Sequence, residues 1–117
     1  AMRLILECDF KTRTTKMLNT LCWLSIEQRL SFNMCCLAFK IVNSQVPEYL
    51  QDVVSRPSTV HKHNTRSSSN GNLFVEHCHI KSLSKNVSRT WNSIPVEIRN
   101  GSDFFKFKRD LAKHLRA

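Results

Sequence analysis

Apolar positions recur at helical spacing most clearly between residues 25 and 42. Ile26, Leu30, Met34, Leu37 and Ile41 form one row, and Phe32, Cys35, Cys36, Phe39 and Val42 fill much of the remaining circumference. This pattern predicts a helix over Ile26–Val42 that is buried on most sides and acts as the central core element. Ser25 followed by Gln28 has the form of a capping box, with the hydroxyl satisfying an N3 amide while the Gln side chain returns to the cap amide. The helix should end near Asn43, because Pro47 restricts Val46 to extended conformations.

The flanking segments are less regular. Met17, Leu18, Leu21 and Leu24 suit one face of a short helix within residues 10–24, although Thr12, Thr14 and Thr15 weaken its start. Pro47 opens a short third helix carrying Tyr49 and Leu50, with Val53 and Val54 on the face of Leu50. Residues 55–72 hold Pro57, a run of Ser and Thr, and Asn70-Gly71, without periodicity, and read as a loop. Leu73, Phe74, Val75 and Ile80, with His77 and His79 at alternate positions, suit a short extended segment that pairs with this loop.

Beyond residue 81 the pattern becomes two-faced. Leu83, Val87, Trp91 and Ile94 form an apolar row in a helix over residues 82–94, while Lys81, Lys85 and Arg89 are displaced from it by roughly 200°. Pro95 ends that helix, Asn100-Gly101 makes a turn, and Ser102-Asp103 caps a last helix over residues 103–115. There Phe104, Phe107, Leu111 and Leu115 repeat on one side, and Lys106, Arg109, Lys113 and Arg116 on the other.

The chain has 117 residues, a length that suits one domain. Residues 10–54 form an apolar helical half, 55–80 a polar loop with a short strand, and 81–117 a pair of basic amphipathic helices. The longest apolar run, residues 34–39, is far short of the roughly 20 residues of a membrane span, and Glu7 and Asp9 interrupt any signal-peptide core. A soluble, intracellular chain is expected, in the nucleus or cytoplasm. The five Cys include vicinal Cys35 and Cys36 and are expected to be reduced thiols.

The formal net charge is +9, and its placement says more than its size. Residues 17–55 carry Arg29 and Lys40 against Glu27, Glu48 and Asp52, whereas residues 56–89 carry six bases against Glu76 alone. Such segregation is the footprint of a surface that meets phosphate, with solvated Lys and Arg faces as the plainer alternative. Because Lys81 to Arg89 contains no acid and Lys106 to Arg116 only Asp110, phosphate contact is favoured. Arg66, Lys81, Lys85, Arg89, Lys106, Arg109 and Lys113 are the candidate nucleic-acid-binding residues. Lys85, Arg89, Lys106, Arg109 and Lys113 are expected to form one cationic surface with Arg66 near its edge.

Other chemistry is poorly supported. His61, His63, His77, Cys78 and His79 suggest zinc, but there is no Cys-x-x-Cys, so imidazoles on a polar loop are the simpler reading and the metal question is left open. No nucleophile elbow is present, and two Gly do not build a phosphate-cradling loop. Neither a catalytic residue nor a cofactor is expected. Trp23 and Trp91 fall in apolar helical rows, which favours core packing over base stacking.

Several runs occur in one order: residues 21–29 (Leu-Cys-Trp-Leu-Ser-Ile-Glu-Gln-Arg), Phe39-Lys40, Pro47-Glu48-Tyr49-Leu50, Thr65-Arg66-Ser67-Ser68, residues 91–99 (Trp-Asn-Ser-Ile-Pro-Val-Glu-Ile-Arg) and Phe105-Lys106-Phe107-Lys108. Across residues 18–116 this resembles the C-terminal tail, downstream of the thumb, of the endonuclease and reverse-transcriptase protein of jockey-like non-LTR (LINE-type) retrotransposons. The residues that carry the resemblance, and that it implies are structural, are Trp23, Leu24, Arg29, Pro47, Tyr49, Leu50, Trp91, Asn92, Pro95 and Phe105. Two positions depart from the family pattern: Cys22, where His is frequent, and Thr65, where Leu is usual.

The resemblance implies an accessory region of an RNA-directed DNA polymerase. It does not imply catalysis, since the chain has no Asp-Asp pair to hold two metal ions. The fold expected is mainly α, a bundle of about five helices with a long loop or short β excursion, closed by Trp91, Ile94, Phe104 and Leu111. Its partners would be RNA, DNA or both, and the rest of a polymerase polypeptide, with no membrane and no small-molecule substrate. The alternative is a protein-interaction or scaffolding module, a stand-alone remnant of such an element.

Overall fold

The computed structural model of the chain describes residues 1–77 and 82–117, and the fold is mainly α. Nine helices run in order among them: α1 (Met2–Leu6), α2 (Thr14–Thr20), α3 (Ile26–Val42), α4 (Glu48–Gln51), α5 (Pro57–Val60), α6 (Arg66–Ser69), α7 (Leu83–Asn92), α8 (Val96–Arg99) and α9 (Phe104–Arg116). The excess over five comes from short helices of four or five residues, whose single turn is too brief to show periodicity in sequence.

The long helix falls where its caps predict. Ser25 Oγ accepts from the Gln28 backbone N–H at 3.3 Å, and Gln28 Oε1 accepts from the Ser25 N–H at 2.9 Å. The same amide has a second use: Gln28 Nε2 donates to the Leu115 carbonyl at 2.6 Å, tying the start of α3 to the last turn of α9.

α3 packs against both α7 and α9. The core between them is Cys35, Ala38 and Phe39 from α3, Val87 and Trp91 from α7, Phe107 and Leu111 from α9, and Leu73 and Ile94 from the connections. Phe39 stacks on Phe107 with centroids 4.4 Å apart, and Phe107 lies 5.9 Å from Trp91. Burial of each large side chain contributes about 1.5–3 kcal/mol. Of the four expected core closers, Trp91, Ile94 and Leu111 are buried, and Phe104 is half-buried 5.6 Å from Phe39.

The face of α3 that is buried corrects the expectation of a helix buried on most sides. Ile26 is 81% exposed and Leu30 56% exposed. The row that begins with them lies roughly 130° around the helix from Cys35, Ala38, Phe39 and Val42. Both rows obey the helical period, and the positions of α7 and α9, not periodicity, make the Phe39 side the buried one. Only from Met34 onward does the first row reach α7, where the Thr90 hydroxyl meets the Met34 sulfur at 3.8 Å. Leu83, placed by its spacing in the apolar row of α7, is exposed as well.

The loop of residues 55–72 is also corrected, because it contains α5 and α6. Pro57 occupies the first helical position of α5, and Thr65 Oγ1 caps α6 by accepting from Ser68 N–H at 3.4 Å. Among the described residues the extended segment pairs with the loop at one point, an antiparallel bridge in which Phe74 N–H donates to the Ser55 carbonyl at 2.8 Å. Cys78, His79, Ile80 and Lys81 lie outside the described residues.

α1, α2, α3 and α6 end alike, with a residue of positive φ followed by a backbone bond that closes six residues onto the last turn. Gly71 (φ 67°) serves α6 in the usual way, whereas Glu7 (φ 47°), Cys22 (φ 53°) and Ser44 (φ 56°) take the same conformation in the other three. At α2 the Trp23 N–H reaches the Leu18 carbonyl at 2.9 Å, and the Cys22 N–H reaches Asn19 at 3.2 Å. That closure ends the first helix at Thr20, short of the expected residue 24. No helix among the described residues is long and apolar enough to cross a membrane.

Candidate nucleic-acid interface

The run at residues 91–99 holds the returning chain in place. Trp91 Nε1 donates to the Gly71 carbonyl at 3.1 Å. Asn92 accepts from Leu73 N–H at 2.8 Å and donates to the Leu73 carbonyl at 2.9 Å. Arg99 Nη1 donates to Asn72 Oδ1 at 2.5 Å. Residues 71–73 are thus clamped by three side chains from one sequence run. Arg99 is buried, its Nε has no partner among the described residues, and desolvation lowers its pKa, with Glu97 acting in the opposite sense. Arg56 is likewise committed to structure, since its Nη2 donates to the Val42 carbonyl at 2.9 Å.

The candidate phosphate contacts stand apart from that clamp. Lys106, Arg109 and Lys113 are exposed on α9, opposite the side that carries Phe107 and Leu111. On α7, Arg89 is exposed and Lys85 half-buried, away from Val87 and Trp91. Arg66 is the exposed first residue of α6. Lys81 lies outside the described residues. α7 and α9 both pack on α3, and the Trp91 and Phe107 rings from the two helices approach each other in the core. Among the described residues, Arg66, Arg89, Lys106, Arg109 and Lys113 make no side-chain hydrogen bond or ion pair.

Two further cations, named in the sequence within the family runs, were not among the candidate contacts. Lys40 Nζ lies 5.0 Å and Lys108 Nζ 5.4 Å from the Phe104 ring centroid, so α3 and α9 bring two ammonium groups to one aromatic ring. In sequence Lys40 shares a near-neutral segment with Arg29, and the packing of α3 on α9 brings it to the ring that Lys108 also covers. Burial raises the neighbouring Cys36 pKa, while Lys108 and Lys40 oppose that shift.

Of the residues that carry the family resemblance, Pro47 and Pro95 are the N-caps of α4 and α8. Leu24 and Leu50 are half-buried. Trp23 corrects the core-packing expectation: it is 46% exposed, because the αL turn at Cys22 swings it out of the α2 row. Tyr49 and Phe105 are exposed too, and Phe105 sits beside Phe104 with centroids 6.4 Å apart. His61 meets the Phe74 ring edge-on at 5.8 Å, and His63 and His77 are exposed. No group of three metal-ligating side chains occurs among the described residues. Compared with known protein families, curated proteins and solved structures, the chain matches none of them.

Proposed function

We propose that this chain is a non-catalytic module that binds RNA or DNA through the sugar-phosphate backbone, as an accessory part of a retrotransposon reverse transcriptase acting in the nucleus or cytoplasm. The observation that carries the reading is the set of exposed cations Arg89 on α7 and Lys106, Arg109 and Lys113 on α9, which have no acidic partner among the described residues. Guanidinium groups at Arg89 and Arg109 fork onto phosphate oxygens, and the Lys residues add point charge. The rival reading, a protein-interaction module, is favoured by the exposed Ile26 and Leu30.

Salt separates the two. Fluorescence anisotropy with single-stranded RNA, single-stranded DNA and an RNA–DNA hybrid should show affinity falling with added salt. With four to six phosphate contacts, the slope of log affinity against log salt is about −3 to −5. Absence of binding to all three at low salt would establish the protein-interaction reading instead.

A further inference from the structure

Arg29 and Arg116 lie far apart in sequence, but the Gln28 bond to the Leu115 carbonyl brings their helices together beside Trp23. The result is a groove of about 550 Å³ lined by Cys22, Trp23, Arg29, Phe32, Asn33 and Arg116, among others. A second hollow of about 380 Å³ shares Cys22, Trp23 and Arg116, so two adjoining hollows meet at the indole. Among the described residues, no acidic side chain lines either hollow.

The groove is held from both ends. The αL conformation of Cys22 and the Trp23 N–H bond to Leu18 fix the indole's backbone, while Gln28, itself locked into the cap of α3, fixes the last turn of α9. Neither guanidinium has a hydrogen bond or ion pair among the described residues. A solvent-facing indole, an amide at Asn33 and two unneutralised guanidinium groups form a set that suits a planar aromatic ligand bearing negative charge.

We propose that this groove takes one nucleotide of a single strand, its base stacked against Trp23 and its phosphate held by Arg29 and Arg116. The assignment rests on the nucleic-acid-binding reading and adds to it a preference for single strands, because bases stacked and paired in a duplex do not offer a free face to an aromatic side chain. Asn33 supplies a donor and an acceptor to the base edge, which accommodates more than one base. The site meets the outward row of α9 at its last member, Arg116, and it makes Trp23, Arg29 and Arg116 contact residues.

Intrinsic fluorescence reads the groove directly, since Trp91 is buried on the Gly71 carbonyl and Trp23 is the open indole. The full chain is titrated with ten-nucleotide oligothymidylate and oligouridylate, a duplex of the same length, uridine monophosphate and decaglutamate, with anisotropy of labelled oligonucleotides followed in parallel. Saturable quenching by the single strands, tracking anisotropy and stronger than with the duplex, is the expected result. Trp23→Phe should abolish the quenching, Trp23→Ala should weaken single-strand affinity about tenfold, and Arg29→Gln with Arg116→Gln should lower the salt slope by about 1–2. Circular dichroism confirms that each variant is folded. If anisotropy rises while Trp23 fluorescence stays constant, the groove is empty and the proposal falls, although nucleic-acid binding stands. If no oligonucleotide binds at all, both fall. Quenching by uridine monophosphate without oligonucleotide binding, or by decaglutamate as strongly as by a strand, overturns the single-strand assignment.

Discussion

The side-chain amide of Asn92 bonds both backbone groups of Leu73, accepting at 2.8 Å and donating at 2.9 Å, as a neighbouring β-strand would. A single residue of α7 thereby stands in for a strand and lets Leu73 enter the core without orphaned polar groups.

Asn92→Ala should therefore cost about 2–4 kcal/mol, because a buried N–H and C=O lose their partners together. Asn92→Asp keeps the acceptor but sets a carboxylate against the Leu73 carbonyl. Its deficit relative to wild type should shrink as pH falls through about 4, where the protonated carboxyl regains a donor. Urea melts of the three proteins at pH 7 and pH 4 check both statements, and a pH-independent deficit for Asn92→Asp would contradict the second.

The αL helix ends give predictions of opposite sign. Cys22→Gly and Ser44→Gly should each stabilise by about 0.5–1 kcal/mol, since glycine takes positive φ without the Cβ penalty. Gly71→Ala should destabilise by about 1 kcal/mol from backbone conformation alone, because an added Cβ meets nothing within 4 Å. Thermal unfolding monitored by circular dichroism distinguishes the signs.

Replacing Arg89 and Arg109 together by Glu should abolish nucleic-acid binding while moving the unfolding midpoint little, because both are exposed and unpaired among the described residues. Arg99→Gln should do the reverse, lowering stability through the lost Asn72 bond with a smaller effect on binding. Unchanged affinity in the double variant would remove the basic faces of α7 and α9 as the interface.

Cys35 provides a pH signature. Desolvation, with a contribution from Cys36, pushes its thiol pKa up from the ordinary thiol value of 9.0 to about 12. The folded state holds the proton where the unfolded chain has released it, so the stabilisation is complete below about pH 9 and declines as pH rises toward 12. Cys35→Ala should flatten the fall in urea midpoint between pH 8 and pH 10.5. In a Cys36→Ala background, iodoacetamide at pH 8 should modify exposed Cys22 well before Cys35, as peptide mass mapping would show.

Local and repeating features were legible in the chain itself. The capping box at Ser25 and Gln28 fixed the start of α3, Asp103 fixed that of α9, and the opposition of apolar and basic rows gave the outward cations of α7 and α9. Such signals lie within a few residues of one another, so sequence carries them whole. What tertiary structure decided is everything that depends on partners far along the chain. Phe39 rather than Ile26 became the core side of α3, because both rows fit a helix and only the positions of α7 and α9 choose between them. The αL turn at Cys22 carries no glycine to announce it, yet it turns Trp23 from the core to the surface. Arg29 and Arg116 became neighbours of that indole through one bond from Gln28 to Leu115, a separation of 87 residues that no periodicity encodes.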